Sequence, residues 1–518
     1  MPKLGEMIGK IMLGIIRLLV IAGLLFCIFN IVAPEYYFSL PVYKEVISIA
    51  LSAVVLLAIS YFVNKIKGKS VYKIFRIIMW VIWIMIQVVY IYVSYSTYNA
   101  DAAAVREIVN AYLSPDKVLV EGNFYFDYLC RYVNNIPIVI LEYIVIRAAR
   151  VLGFAMSLES ECLLLCILAG VFADLAILFT SILTNKLAGK DASTIAFLLS
   201  VFLVGLSEPA TILYTDIVSL WTIPASWFFI LCAFDYEGKK RITFVILSSV
   251  IASIGILFKP QAIIVLIAAF VISIVFALLK KELKGKKYIL LFVIVSLLLY
   301  KAEGGIVDNW TYGHIASKEY IEDHEFVFWH YLNMGLNDEH KGAYYAPDVD
   351  LMWNTIGKQE KKEACIASIR NRLDSRSFNE LIMFWKEKVV GAIHDGSFSA
   401  PTIWKGDLIN TDARYVGIQD ILIPKNGGWT RGIGRIVQTL YVLLFGAVLV
   451  SICMNIIRGN KSGIIRKLFT DIVGLSILGD LLFILLLEQN HRYLYIMLPL
   501  MIVETAIVFQ VIGRGNNE

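Results

Sequence analysis

The segment from residue 261 to residue 279 reads QAIIVLIAAFVISIVFALL and contains no charged side chain. A helix needs about 20 mostly apolar residues to cross the hydrocarbon core of a bilayer, so this run predicts a membrane-spanning helix. The whole chain has the same character: 58% of its 518 residues are hydrophobic, 17% are charged, and the mean hydropathy is +0.72. Since soluble domains carry about 25% charged residues, the composition excludes an ordinary water-soluble enzyme.

Similar apolar runs predict about twelve membrane-spanning helices. They lie near residues 11–33, 45–64, 75–95, 161–183, 192–207, 217–235, 242–258, 261–279, 287–301, 436–457, 468–488 and 493–512. A further apolar stretch, 136–152, is short and is interrupted by Glu142, Arg147 and Arg150. The chain is therefore predicted to be an α-helical polytopic membrane protein.

The charges of the short loops decide whether 136–152 crosses. If it does not cross, five loops on one side (65–76, 184–191, 236–241, 280–287 and 458–467) carry nineteen Lys and Arg residues, against three in the opposite short connections. Basic residues collect in cytoplasmic loops, so that side is predicted to be the cytoplasm. Both termini are then cytoplasmic, and 136–152 is expected to be an amphipathic helix on the outer surface.

This topology divides the chain into three regions. Residues 1–302 form an N-terminal transmembrane region that includes an external loop, 96–160; residues 303–435 form a small external mixed domain; residues 436–518 form the C-terminal transmembrane helices. Within the external domain, the segment from Thr355 to Ile393 predicts one or two helices with a charged, solvated face.

The remaining bulk properties point to no other class. The seven cysteines form no CxxC pair, so neither a disulfide framework nor a zinc site is predicted. We predict no cofactor, although a divalent metal is not excluded. The net charge of +5 is explained by the lysines of the predicted cytoplasmic loops, so no nucleic-acid partner is expected.

Asp101 is the first candidate for chemistry. It follows the third predicted span and precedes a predicted helix over 102–112. A partly desolvated carboxylate at the mouth of a membrane cavity suits a general base, because burial raises its pKa. Asp101 would equally serve as the N-cap of the helix, and the two roles are compatible.

A second set of candidates lies at the outer ends of later spans. Glu488, His491 and Arg492 occupy the short connection before the last span, and Lys259 precedes Pro260 at the end of another. A cation here could hold a lipid phosphate, and Arg can do so with two hydrogen bonds. Alternatively, such a side chain snorkels to the membrane surface.

Several acids fall within or near spans. Asp174 and Asp480 lie inside spans, where an acid either makes interhelical hydrogen bonds or contacts substrate. Asp471 lies near a cytoplasmic end and is expected to be structural. Two further acids, Glu208 and Asp216, lie near the outer ends of predicted spans.

Together these features resemble the GT-C superfamily of polyprenyl-phosphate-sugar glycosyltransferases, particularly bacterial integral membrane proteins similar to protein mannosyltransferases and aminoarabinose transferases. Five stretches carry the resemblance along nearly the whole chain: Asp101; 125–137, ending in Tyr-Val-Asn-Asn-Ile-Pro; 330–337 with 342–349; 384–388 with 394–396; and 488–499. Each motif taken alone also occurs in unrelated proteins. Only the five stretches together are specific for the superfamily.

The resemblance implies a GT-C-like fold and transfer of a sugar from a polyprenyl phosphate to an envelope glycan or lipid, with inversion. Asp101 would be the general base, with Asp127 or Glu121 as a second acid and Asp127 favoured. The implied groups for the donor phosphate are Arg492, Lys259, His491 and Glu488. Further substrate contacts are expected from Arg131, Asn134, Asn135, His330 and Asp395.

The implied location is a bacterial cell membrane, with the bilayer, the lipid-linked donor and the acceptor as partners and the active site outside. Two other functions remain open. A transporter or flippase of lipid-linked glycan would place charges along a path through the spans. A polysaccharide polymerase or ligase would use a lipid diphosphate and more external arginines.

Overall fold

A computed structural model describes residues 2–31, 42–66, 68, 70–114, 119–154, 156–279, 286–398, 405–424, 426–457 and 463–513. The predicted cytoplasmic loops 280–287 and 458–467 lie largely outside the described residues. The described chain is helical apart from its connections and two short strands.

The N-terminal part contains three long helices followed by the elements of the first external loop. These are α1 (Pro2–Ile31), α2 (Val42–Ile66), α3 (Ser70–Ser94), β1 (Ser96–Tyr98), α4 (Ala100–Leu113), α5 (Phe124–Arg131) and α6 (Ile136–Val151). A 3₁₀ turn, Val133–Asn135, joins α5 to α6, and the chain bends by 93° there. The helix predicted over 136–152 is therefore present, and the bend separates it from α5.

The central part contains seven helices. They are α7 (Leu158–Ala188), α8 (Lys190–Ser200), α9 (Thr215–Leu220), α10 (Thr222–Ala233), α11 (Gly238–Phe258), α12 (Ile263–Leu278) and α13 (Lys286–His314). A π-helical segment, Val201–Gly205, extends α8, and two 3₁₀ turns, Glu208–Thr211 and Pro260–Ala262, precede α9 and α12. Helix α13 continues through residue 303, so the predicted start of the external domain falls inside a helix.

The third part returns to the membrane after the external region. Its elements are α14 (Lys318–His324), α15 (Phe328–Met334), α16 (Ala346–Asn354), α17 (Lys358–Asp374), α18 (Phe378–Ile393), β2 (Lys405–Leu408), α19 (Val416–Leu422), α20 (Gly427–Arg431), α21 (Ile433–Ile457), α22 (Ile464–Leu486) and α23 (Leu498–Gly513). Two 3₁₀ helices, Ala413–Tyr415 and His491–Met497, precede α19 and α23. The two helices predicted within 355–393 are α17 and α18.

Eleven helices among the described residues are long and apolar enough to span a membrane, or twelve if the bent pair around residue 132 counts as one span. Eleven of the twelve predicted segments match these helices. The exception is 192–207. Here α8 and its π-helical extension cover residues 190–205, and this helix is shorter than each of the eleven candidate spans. The predicted polytopic helical fold is confirmed.

Polar contacts between distant segments collect at opposite ends of the bundle. At the end predicted to be cytoplasmic, Arg17 makes two 2.8 Å hydrogen bonds to Asp471, and Lys186 pairs with Asp235. Asp235 lies two residues beyond the end of α10, and Lys186 lies in the last turn of α7. The chain between them therefore leaves this end of the bundle through α8 and returns to it through α10.

Small residues allow close packing between spans. A Cβ atom at Gly205 would overlap the indole ring of Trp83, so the π-helical segment contacts α3 directly. The same indole donates a hydrogen bond to Asp174 (2.7 Å), which also accepts one from Gln87 (3.1 Å). Asp174 thus makes the interhelical hydrogen bonds that the sequence left as one of two alternatives.

A two-stranded antiparallel sheet positions the start of α4. In β1 and β2, Ser96 pairs with Leu408 and Tyr98 with Lys405, with an irregularity between the two pairs. The sheet thereby ties the exit of α3 to the segment that precedes the last three spans, and α4 follows directly from it.

Candidate active site

Asp101 lies in the first turn of α4, three residues beyond the end of β1. The Asn99 side chain accepts a 2.9 Å hydrogen bond from the Ala100 N–H, so Asn99 provides the N-cap. Ala100 has a φ of 47°, a left-handed conformation that costs a non-glycine residue about 1–3 kcal/mol. Asp101 is not the cap, and its carboxylate faces residues of other elements.

Two tyrosine hydroxyls, those of Tyr128 and Tyr214, lie near the Asp101 carboxylate. Burial raises the pKa of Asp101, while attraction to Arg492 and the two hydroxyls partly offset that rise. A carboxylate with a raised pKa is a better proton acceptor than a solvated one, because its basicity lies closer to neutral pH. The environment of Asp101 therefore suits a general base.

Asp216 joins two cations from distant parts of the chain. Its Oδ1 atom accepts a 2.5 Å hydrogen bond from Lys259, and its Oδ2 atom accepts a 3.2 Å hydrogen bond from Arg492. All three side chains are at most 15% exposed. We call these residues the cationic trio, because two positive charges meet one negative charge. One net positive charge remains next to Asp101.

Local backbone breaks bring the cations into this position. Pro260 cannot donate a helical hydrogen bond and disfavours helix in the residue before it, so α11 ends at Phe258 and Lys259 is extended (φ −137°, ψ 95°). Near the C-terminus, the side chain of Asn490 accepts a hydrogen bond from the Arg492 N–H at 3.2 Å and begins a 3₁₀ helix. Both cations thus lie where one span ends and the next begins.

Glu488 adds a second acid beside the trio. Its Oε2 atom accepts a 3.0 Å hydrogen bond from the Tyr493 hydroxyl, and the Tyr493 ring centroid lies 5.1 Å from the Lys259 ammonium and 5.6 Å from the Arg492 guanidinium. Burial raises the pKa of Glu488, with Arg492 and the Tyr493 hydrogen bond opposing the rise. Glu488 therefore favours its neutral form more than a solvated glutamate does.

Three more tyrosines surround the carboxylates. Tyr132, Tyr331 and Tyr344 each interact electrostatically with both Asp101 and Glu488. Burial raises the pKa of each of the three, and the nearby acids raise it further, so these hydroxyls remain protonated and can donate. The Tyr344 side chain is exposed, so the tyrosines extend from the half-buried acids Asp101 and Glu488 to solvent.

Four predicted site residues, Asp101, Arg492, Lys259 and Glu488, therefore come together in the structure. Asp127 and Arg131 do not join them: their nearest charged atoms lie 4.0 Å apart, and the Arg131 guanidinium stacks on Trp353 at 4.1 Å. Arg131 also donates a 3.1 Å hydrogen bond to the Trp353 carbonyl, so it links α5 to α16.

Three other predicted residues, His330, Asp395 and His491, make contacts with residues outside the group. His330 is 1% exposed and contacts the Phe326 ring at 4.6 Å, and burial lowers its pKa to about 4 with added repulsion from Lys361. Asp395 is buried and accepts a hydrogen bond from the Ser397 N–H at 2.8 Å. His491, next to Arg492 in sequence, has its ring 6.1 Å from that of His394.

Asn134 and Asn135 differ in exposure. Asn134 is exposed, and its amide donates to the Asn135 side chain at 3.2 Å. Asn135 is 1% exposed and hydrogen-bonds to the Tyr128 and Tyr214 hydroxyls, the same two that lie near Asp101. Asn135 therefore belongs to a buried network beside Asp101.

Reasoning from sequence placed Asp216 near the outer end of a span but gave it no role in the site, and it gave none to Tyr128, Tyr214 and Tyr493. Charge balance could have indicated Asp216. Two cations buried at the outer ends of spans need a nearby acid to compensate their charge. Nothing in the sequence distinguished these three tyrosines from the chain's other 24, because 27 tyrosines are spread through the whole chain.

The arrangement suits proton transfer next to an anion. Asp101 can take a proton, the cationic trio can hold a negative group, and the tyrosines can donate hydrogen bonds to either. In the part of the chain that the structure describes, no group of three His, Cys, Asp or Glu side chains could hold a metal ion.

Residues 35–512 match the model of a protein family described as "Conserved hypothetical integral membrane protein". The match covers nearly all of the chain. The chain belongs to this family. It is therefore an integral membrane protein of the family, in agreement with its eleven or twelve candidate spans. No curated protein matches the sequence.

Solved structures that match come from two organisms. The Archaeoglobus fulgidus oligosaccharyltransferase AglB, in complex with an inhibitory peptide and a dolichol-phosphate, is 13% identical with a TM-score of 0.38, over 83% of this chain and 50% of that chain. ArnT from Cupriavidus metallidurans, bound to undecaprenyl phosphate, is 14% identical with a TM-score of 0.28, over 84% and 77%.

The family member described here thus spans about half the length of the archaeal oligosaccharyltransferase that it matches. The TM-scores lie below 0.5, so the arrangement of the site is taken from this chain alone.

Proposed function

We propose that this protein is a membrane glycosyltransferase of the GT-C type, which moves a sugar from a polyprenyl phosphate to a glycan or lipid acceptor of the cell envelope. The observation that carries the proposal is the position of Asp101, a half-buried carboxylate near two tyrosine hydroxyls and next to a trio with one net positive charge. The proposed reaction needs a base for the acceptor proton and a site for the phosphate anion, and the two lie side by side here.

The proposed step breaks one bond and forms one. The acceptor hydroxyl attacks the anomeric carbon of the donor, and Asp101 takes the hydroxyl proton. The bond between the anomeric carbon and the phosphate oxygen breaks, and its electron pair stays on the phosphate. Attack on the face opposite the leaving group inverts the anomeric centre.

The cationic trio would stabilise the departing phosphate. Preorganised charge is most effective where negative charge develops in the transition state, and here the charge develops on a phosphate oxygen. Asp216 holds both cations before substrate arrives, so little reorganisation is needed when the phosphate binds. In this proposal the lipid tail lies between spans, and the site faces the outside of a bacterial cell membrane.

The reaction is tested through the lipids of cells that carry this protein, because neither sugar nor acceptor needs to be known in advance. Asp101→Asn should abolish sugar transfer and make a polyprenyl-phosphate-linked sugar accumulate, measured by mass spectrometry of extracted lipids. Loss of a general base costs about 10²–10⁴-fold in rate. The accumulated lipid then identifies the donor for an assay with purified protein.

Asp127→Asn is the matched control for this substitution. Asp127 is also an acid of the first external loop, but it pairs with Arg131 and lies outside the group. The proposal expects normal lipid composition in this variant, whereas a role as second catalytic acid expects accumulation. If Asp101→Asn leaves the lipid profile unchanged, the proposed function is wrong.

A further inference from the structure

We propose that a groove at the end of the bundle opposite to Asp101 binds an anionic phospholipid, with the lipid phosphate between Lys10 and Arg17 and one acyl chain along the apolar residues that follow on α1. The groove lies between α1 and the ends of α12 and α21. Its ligand is a lipid of the surrounding bilayer and not the sugar donor, so the inference is independent of the proposed function.

The groove has a volume of about 430 Å³. Helix α1 forms one wall, and the other wall contains Leu279, directly after α12, and Ile456, near the end of α21. On α1 the lining extends from Lys10 to Ile21, which is roughly 16 Å at a rise of about 1.5 Å per residue. Since the hydrocarbon core of one leaflet is about 15 Å thick, the groove is about as long as one leaflet is deep.

Two glycines of α1 explain why there is space here. A Cβ atom at Gly9 would lie 3.0 Å from Leu278 and 3.2 Å from Leu279, so α1 packs closely on the end of α12 at this level. Further along α1, a Cβ atom at Gly14 would have no atom of the described residues within 4 Å. The two helices therefore touch at Gly9 and leave the groove open beside Gly14.

Lys10 lies at the polar end of the groove. Its ammonium pairs with Glu6 at 2.7 Å, but the two side chains are 68% and 41% exposed. An exposed pair of this kind contributes little free energy, so Lys10 can exchange Glu6 for a phosphate. In sequence, basic residues also follow directly on the ends of α12 and α21: Lys280, Lys281 and Arg458. The charge at this end therefore favours an anionic ligand.

Arg17 lines the groove two helical turns further along the same face of α1, because it is seven residues from Lys10. Its Nε and Nη2 atoms each donate a 2.8 Å hydrogen bond to Asp471, whose side chain is fully buried. The ion pair makes a cation tolerable among apolar spans. Since Nη1 is not needed for this pair, Arg17 can also donate to a phosphate or ester oxygen in the groove.

Lys467 keeps this end of the bundle positive although Asp471 neutralises one cation. It is 4% exposed, lies one turn before Asp471 on α22 and interacts electrostatically with both Asp471 and Arg17. The three groups together carry one net positive charge. An anionic lipid compensates this charge, whereas a zwitterionic lipid has no net charge to offer.

The deep end of the groove suits an acyl chain. Leu18 is 66% exposed, Ile456 is 48% exposed, and both line the groove with the half-buried Ile21. Exposed apolar side chains alone indicate only contact with the bilayer. Here they follow a basic end within one groove, in the same order as the phosphate and the acyl chain of a phospholipid. The groove therefore fits an anionic lipid better than a soluble phosphate.

The test measures lipid binding to the purified full-length protein in detergent, by native mass spectrometry and by apparent Tm. Phosphatidylglycerol should bind more tightly than phosphatidylcholine with the same acyl chains, which has no net charge. Lys10→Gln should weaken phosphatidylglycerol binding by about fivefold, the effect of one basic residue near an anionic lipid surface, and leave phosphatidylcholine binding unchanged. Gly14→Leu fills the groove and should remove the preference for phosphatidylglycerol.

Two control variants should keep the preference. Gly446→Leu changes a glycine of α21 whose Cβ would also have no described atom within 4 Å but which does not line the groove, and Lys239→Gln removes an exposed lysine at the same end of the bundle. Equal binding of the two phospholipids by the unchanged protein would overturn the proposal, as would a preference that survives both Gly14→Leu and Lys10→Gln. If a polyprenyl phosphate displaces phosphatidylglycerol and Gly14→Leu removes that competition, the groove binds the donor lipid and the proposed ligand is wrong.

Discussion

At the scale of single residues, Asp216 sets the charge of the site. It is 6% exposed and contacts both cations, whose sequence positions are 43 and 276 residues away. Removing one member of a buried ion pair is strongly destabilising, because the remaining charge is left without compensation. Asp216 therefore contributes to stability when the phosphate site is empty and limits the positive charge offered to the phosphate.

Changes in the trio should alter phosphate affinity according to their charge. Arg492→Gln and Lys259→Gln should each weaken binding of a polyprenyl phosphate by about tenfold, since each removes one attractive charge, and tenfold corresponds to about 1.4 kcal/mol. Asp216→Asn should bind more tightly and have a lower apparent Tm that recovers on addition of the lipid. Binding and Tm are measured on purified protein in detergent.

Lys341→Gln is the control for the two cation changes. Lys341 is an external lysine that pairs with Glu387 and is 57% exposed, so its loss should leave phosphate affinity unaltered. Weaker binding by Asp216→Asn than by the unchanged protein would contradict the role of the trio.

At the scale of elements, Lys388 joins α18 to two other segments. Its fully buried ammonium donates to the carbonyls of Gly335 (2.5 Å) and Leu485 (3.1 Å). Close by, the Gln489 N–H donates to the Gly342 carbonyl at 2.6 Å. These bonds attach the external region to the end of α22, directly before Glu488.

The protonation of Lys388 should make stability depend on pH. Burial lowers the pKa of Lys388 from 10.5 to about 7, although Glu488 opposes the shift. Between about pH 7 and pH 10, the unfolded chain holds a proton that the folded protein lacks, so stability should rise with pH across this window. Below pH 7 both states are protonated, and this contribution no longer changes.

Lys388→Met should remove that rise. We expect the apparent Tm of the unchanged protein to increase from pH 7 to pH 9 relative to that of Lys388→Met, measured in detergent. Lys386→Met, two residues earlier on the exposed side of α18, should behave like the unchanged protein. Parallel pH curves for Lys388→Met and the unchanged protein would show that Lys388 is not the titrating group.

At the scale of the whole molecule, the two polar ends of the bundle imply opposite sides of the membrane. The trio and Asp101 lie at one end, while Arg17 with Asp471 and Lys186 with Asp235 lie at the other. The positive-inside rule predicts that the second end is cytoplasmic.

Accessibility of introduced cysteines tests this orientation. A cysteine at exposed Glu121 should react with a membrane-impermeant maleimide in intact cells, whereas one at exposed Glu237 should react only after permeabilisation. The parent carries seven native cysteines, five of them buried, and serves as the background control. The reverse labelling pattern would invert the topology and place Asp101 inside the cell.

The sequence by itself determined the spans, the alternation of basic loops and the candidates at outer span ends. These depend on local quantities, namely apolar length, loop charge and the break at Lys259-Pro260, which act within about 20 residues. Such reasoning located Asp101, Lys259, Glu488 and Arg492, and the segment 192–207 corresponds to the short helix α8 with its π-helical extension, residues 190–205.

Only the tertiary structure decided which of these residues meet. Asn135 reaches Tyr214 across 79 positions, and Asp216 reaches Arg492 across 276, and both contacts depend on the packing of many helices. Asp127 instead lies beside Arg131, which contacts Trp353 of α16. Hydrophobic length is a local property, whereas the pairing of buried charges is set by the whole fold, which brings each acid within reach of a particular cation.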